Sequence, residues 1–202
     1  MVRIIKEVSM REFFEERFDE ALSANPLELP HLTRSYLVEL LTEYAESETA
    51  FSLDREDPEL PLSIRFLRAT AKGTREKLQD CKRIGDFCLF LSGIFPEKIQ
   101  GKAADLDFYM ALGSKAYLNV ESSLRNTTSH AEDCFVRMFR ELSERFPEFV
   151  GLYMDVSERM RALTDRNIMD LYGKYLLLRS RRHERILRKA GISPPPPNPT
   201  RH

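Results

Sequence analysis

Apolar residues recur at steps of three and four along most of this chain, with polar and charged residues between them. That is the period of amphipathic helices. Ser9 and Glu12 form a capping box ahead of Phe13, Phe14, Phe18 and Leu22, while Glu15, Glu16, Asp19 and Glu20 fall on the solvent side. Asn25-Pro26 and Pro30 end this first helix. A second is expected from about His31 to Glu46, burying Leu32, Tyr36, Leu37, Leu40, Leu41 and Tyr44. The acidic stretch Glu46 to Pro61 has no clean period and reads as a surface loop. A short helix from Pro61 to Ala71 follows, with Ile64, Phe66 and Leu67 expected to point inward.

The densest apolar run is LQDCKRIGDFCLFLSGIFP, Leu78 to Pro96. Thr74 is the expected N-cap of its helix, and Leu78, Cys81, Ile84, Cys88 and Leu91 form the expected buried stripe. From Phe87 onward the helix is apolar all round, as in an element sinking into a core. Gly93 stands where a left-handed residue would close the helix, Ile94 is placed to touch Leu89, and Pro96 is expected to hold Phe95 extended. Asp105 or Asp107 then caps a helix to about Leu124, with Tyr109, Leu112, Gly113, Ala116, Tyr117 and Val120 on one face. After a polar connection, Ser129 and Glu132 read as a second capping box. They begin a helix burying Phe135, Met138, Phe139, Leu142 and Phe146. Pro147 marks a break or a first turn, and Phe149, Leu152, Tyr153, Val156, Met160 and Leu163 define the next helix. Thr164 is expected to open the last helix, apolar through Ile168, Leu171, Tyr172, Tyr175 and Leu178, then basic to about Ala190, with Gly191 closing it.

These spans predict an all-α fold. It is an array of about seven helices around a central helix (about 75–92) packed on the 106–124 helix. Residues 1–192 read as a single helical domain and 193–202, SPPPPNPTRH, as a Pro-rich disordered tail. Composition agrees: 42% of the 202 residues are hydrophobic, enough for a sizeable core, and glycine-punctuated β-branched runs are missing.

Charge sharpens the picture. The formal net charge is −1, which excludes a globally basic nucleic-acid binder. Yet residues 1–60 hold 15 acidic and 6 basic side chains, against 17 and 25 in the remainder. An acidic face meeting a basic one inside the fold, or two surfaces with different partners, follows from that split. Near the end, Arg179, Arg181, Arg182, Arg185, Arg188 and Lys189 crowd about three helical turns, with Glu184 the only acid among them. They are candidates for an anionic partner such as nucleic acid, a membrane surface or an acidic protein. The plainer reading is a solvated helix end favoured by the macrodipole, or docking on the chain's own acidic N-terminal third.

Candidate chemistry is sparse. Gly85 and Gly113 each cost a helix about 1 kcal/mol relative to alanine, a cost that close backbone approach can offset. Asp86, Ser92, Tyr109 and Tyr117, with Lys115, are the candidate lining of a small-molecule pocket between the central helices. The alternative is a tight crossing in which Asp86 accepts tyrosine or backbone hydrogen bonds. GDFCLFLSGIFPE, Gly85 to Glu97, with YMALGSKAY, Tyr109 to Tyr117 (a GDxxLFxSGxFPE … YxxxGxxAY pattern), resembles a family of all-helical bacterial proteins of about this length. The resemblance covers mainly residues 82–120. It implies a bacterial source and one compact domain, and brings no activity or binding residues.

His31, His130, His183 and His202 lack metal-ligand spacing, so no metal and no cofactor is expected. Ser92 lacks the strand before a nucleophile elbow. Cys81, Cys88 and Cys134 read as small core residues in a reducing compartment; the first two lie roughly 10.5 Å apart along one helix, too far for a disulfide. Neither a signal-peptide core nor a run of ~20 apolar residues occurs. The expectation is a non-enzymatic cytoplasmic protein acting through contacts with another protein or with itself. The alternatives are the central pocket and the basic helix.

Overall fold

A computed structural model describes residues 9–46, 60–99, 105–126 and 133–178, with 184, 187 and 188; the side chains of 46, 98 and 163–178 are outside that description. Contacts divide the chain into two units, Met1–Ser157 and Glu158–His202. The fold is all-α, with no strand among the described residues. Seven helices are described: α1 (Met10–Ala24), α2 (His31–Glu46), α3 (Leu62–Thr70), α4 (Thr74–Ile94), α5 (Leu106–Arg125), α6 (Asp133–Glu144) and α7 (Phe146–Leu178). A short 3-10 turn, Pro96–Lys98, follows α4.

The first unit is organised on α4 and α5, which pack along each other. α3 lies against both, α2 reaches α4 and α6, and α6 packs on α5. Local chemistry sets the helix starts. Ser9 accepts from Glu12 N while the Glu12 carboxylate accepts from Ser9 N, the complete capping box. Asp105 accepts from Phe108 N at 3.0 Å to open α5. α1 and α2 are tied outside by Arg34, which forks onto both oxygens of Asp19. Inside, Phe18, Leu37, Val38 and Leu41 are wholly buried, each contributing about 1.5–3 kcal/mol. α5 and α6 meet through small residues: the Ser114 hydroxyl donates to Ser143 O at 2.8 Å and the Ser143 hydroxyl to Ser114 O at 2.9 Å.

Several expectations are corrected. Gly73, not Thr74, is the N-cap of α4; its extended backbone lets its carbonyl accept from Lys77 N at 2.8 Å. Gly93 does not stop α4. It sits inside the helix, and a Cβ there would lie 2.3 Å from Tyr153 Cβ and 3.2 Å from Val150 O. The residue permits α7 to approach, and α4 ends one residue later at Ile94. Phe95 has φ −129° and ψ 51° and is not extended. Ile64 and Leu67 are 39% and 60% exposed. α3 carries a second apolar stripe, Leu62, Phe66 and Ala69, and it is Ala69 that is buried, with Leu62 and Phe66 half-buried. Periodicity alone fits either stripe.

Phe135 is 43% exposed and Cys134 is also exposed. Both belong to the first turn of α6, and burial begins at Val136. Leu32, Tyr36, Leu78 and Leu91 are half-buried, while Val38, Leu89 and Phe90 join the core. No break occurs at Thr164, because α7 continues to Leu178. Pro147 stands in its first turn, where a missing N–H costs nothing. The loop at 47–59, the capping box of Ser129 and Glu132, Gly191 and the tail 193–202 lie outside the described residues.

Candidate functional site

The most concentrated polar chemistry in the first unit gathers on Asp86. Its neighbour Gly85 explains why. A Cβ at position 85 would stand 2.6 Å from Tyr117 Cε1, so only glycine lets that ring lie against α4. The Tyr117 hydroxyl then reaches Asp86 Oδ1 at 2.8 Å, and Tyr36 of α2 donates to the same oxygen at 2.5 Å. Lys82, one turn earlier on α4, donates to Oδ2 at 2.7 Å, with its Nζ 5.1 Å from the centre of the Tyr36 ring. Asp86 is 4% exposed, and the Lys82 side chain, 37% exposed, links it to the surface. One carboxylate therefore ties α2, α4 and α5 together. Hydrogen bonds to charged groups contribute roughly 1.5–3 kcal/mol each, which offsets the desolvation of the carboxylate.

The electrostatics follow from burial. Both Tyr36 and Tyr117 are pushed well above the usual phenol range, first by burial and then by the charge of Asp86. They stay neutral donors. Tyr153 is raised in the same way, and its hydroxyl donates to Leu37 O at 2.7 Å. Burial pushes the Cys81 thiol up to about 11, and Cys88 still higher, so neither presents a thiolate near neutrality.

Of the sequence candidates, the structure joins Asp86 and Tyr117 alone. Ser92 is fully buried, and its hydroxyl has no hydrogen-bond partner among the described residues. Tyr109 is half-buried and meets Phe108 edge-on at 5.6 Å. Lys115 is exposed. At Gly113, a Cβ would lie 2.3 Å from Phe146 Cζ and 2.8 Å from Cys88 Cβ. Rings of Tyr117 and Phe146 thus occupy the space beside both glycines, their centroids 5.8 Å apart. Arg179, Arg181, Arg182, Arg185 and Lys189 lie outside the described residues. Arg188 pairs with Glu184 at 3.0 Å.

Two members of the Asp86 cluster were absent from the sequence candidates. Lys82 was legible, since a lysine and an aspartate four apart share a helix face. Tyr36 was not, because nothing in its helix says which neighbour it meets. A second buried carboxylate was missed as well. Glu121 on α5, 2% exposed, is held by Arg125, one turn on, and by Arg140 of α6 at 3.0 Å. Burial raises its pKa, but the two guanidinium groups outweigh that and leave it below the ordinary 4.5.

No family model, curated protein or solved structure matches this chain. Among the described residues no three His, Cys, Asp or Glu side chains group to hold a metal ion. None of the described helices is long and apolar enough to cross a membrane.

Proposed function

We propose that this protein acts by binding another protein, through the outward apolar face of α3. The observation that carries this reading is the exposure of Ile64 and Leu67, 39% and 60%, one turn apart on a helix of nine residues. Single exposed apolar residues are ordinary. A pair at i and i+3, on a helix that already packs another apolar stripe inward, is an anchor of the kind that dominates interfaces. The Asp86 cluster supports the reading indirectly. Its tyrosines are fixed as neutral donors and its carboxylate is engaged on both oxygens, so these residues hold helices together rather than face a substrate. Free thiols at Cys81, Cys88 and Cys134 suit a reducing compartment, and the reading puts the protein in the cytoplasm.

Charge on the exposed face tests it without touching the core. Leu67→Glu combined with Ile64→Lys is expected to leave the unfolding transition unchanged and to weaken partner binding tenfold or more, the usual consequence of removing an anchor. Affinity capture with quantitative mass spectrometry, comparing wild type with the double variant, reads the effect. Identical recoveries from both baits would remove α3 as the contact.

A further inference from the structure

The start of α2 and one side of α6 enclose a cleft of about 260 Å³. That is close to the lower end of the ~300–1,000 Å³ typical of small-molecule pockets. Leu32 lines it from α2, Pro30 from just before that helix, and Met138 from α6. Two polar side chains in its wall are already paired with each other. The Thr33 hydroxyl donates to Glu141 Oε2 at 2.6 Å, and Glu141 Oε1 accepts from Arg145 at 2.7 Å. Glu141 therefore offers neither a free oxygen nor an uncompensated charge. Arg137 differs: it lines the same cleft, is exposed, and its side chain makes no ion pair or hydrogen bond among the described residues. The first turn of α2 holds no acid, and Asp133, one turn before Arg137 on α6, forms no ion pair with it. An apolar hollow with one guanidinium free of an ion pair has a definite complement, an apolar body ending in a carboxylate.

We propose that this cleft binds a small monocarboxylate of about octanoate size, with its chain against Leu32 and Met138 and its carboxylate on Arg137. Arginine suits the role because its planar fork takes a carboxylate through two parallel hydrogen bonds. The apolar chain supplies most of the binding free energy, and the exposed ion pair fixes orientation and chemical class. A ligand of this size in a shallow hollow is expected to bind with a dissociation constant on the order of a millimolar.

Cys134 supplies the readout. It lines the cleft and is exposed, whereas Cys81 and Cys88 are buried, so iodoacetamide alkylation of the native protein reports on this position. Followed by intact mass, the alkylation rate is expected to fall along a saturable curve as octanoate is added. It should drop roughly tenfold at ten times the dissociation constant, because the free fraction falls in that proportion. Octylamine, with the same chain and the opposite charge, is expected to protect at least tenfold more weakly, as is acetate, which lacks the chain. Arg137→Gln removes a side chain without hydrogen-bonded partners among the described residues and keeps the fold, which circular dichroism verifies. In that variant the protection curve should move at least tenfold to higher octanoate. Absence of protection, equal protection by octylamine, or an unshifted curve in Arg137→Gln would each overturn the proposal.

Discussion

Gly93 shows how one residue carries two meanings in sequence and one in structure. A glycine near the end of an apolar helix, with a proline three residues on, has the spacing of a left-handed stop. In the fold it is the contact point of α4 with α7, where a methyl group would overlap Tyr153 Cβ at 2.3 Å and crowd the carbonyl of Val150. Neither atom is the far end of a flexible side chain, so relief requires moving a helix. Gly93→Ala is therefore expected to destabilise the protein by about 1–3 kcal/mol, even though alanine is the better helix former by about 1 kcal/mol. Gly151 is the control. It lies within α7 with nothing inside 4 Å of a built Cβ, so Gly151→Ala is expected to be neutral or stabilising by up to about 1 kcal/mol. Urea midpoints decide the matter: a Gly93→Ala midpoint at or above wild type would refute the close approach. The same ambiguity made Asp86 only partly readable. A glycine and an aspartate on one helix announced a tight polar crossing with Tyr117, but Tyr36 arrives from a helix fifty positions earlier and leaves no local trace.

Elements were more legible than their faces. The limits of α2 and α5 follow from period, prolines and capping residues, because those signals are local and act on backbone groups that must be satisfied at each end. Which stripe turns inward depends on neighbours. On α3, Leu62, Phe66 and Ala69 compete with Ile64 and Leu67, and nothing within nine residues decides between them. At the start of α6, Phe135 keeps the helical period but protrudes where burial has not yet begun. Thr164 illustrates the opposite error. A threonine after an apolar stripe looks like an N-cap, yet α7 continues through it to Leu178, since a threonine inside a helix costs only a fraction of a kcal/mol. Continuity makes a clear demand. Thr164→Pro should remove an interior N–H and clash with the preceding turn, lowering helix stability by about 3 kcal/mol. Helical ellipticity should fall, and amide exchange should accelerate on both sides of residue 164. Ellipticity and exchange like those of wild type would mean that the helix is interrupted there after all.

At the scale of the molecule, buried ionisable groups set the pH limits of the fold, and the sign differs at the two ends. On the acid side, Glu121 is held below its ordinary 4.5 in the folded state. Its contribution is present above the unfolded value and lost as pH falls through the folded one. On the alkaline side, Tyr36, Tyr117 and Tyr153 are raised well above 10, each mainly by burial and next by the charge of Asp86. The folded state keeps these protons above the ordinary phenol pKa while the unfolded chain releases them. Their contribution is full below about pH 10 and declines as pH rises towards the folded values. Each fully buried tyrosine, Tyr117 and Tyr153 among them, should steepen that decline by up to about 1.4 kcal/mol per pH unit. Tyr117→Phe separates the hydrogen bond from the proton. It should be less stable than wild type at neutral pH, because Asp86 loses a donor, yet lose stability more slowly above pH 10 by the slope of one proton. Urea unfolding across the alkaline range, with tyrosinate absorbance recorded in parallel, checks both parts. In wild type the absorbance of the buried tyrosines should rise together with loss of helix. Tyrosinate appearing in full while the helices remain intact, or parallel slopes for wild type and Tyr117→Phe, would show that the phenols joining α2, α5 and α7 to their neighbours are not the groups that limit the fold in base.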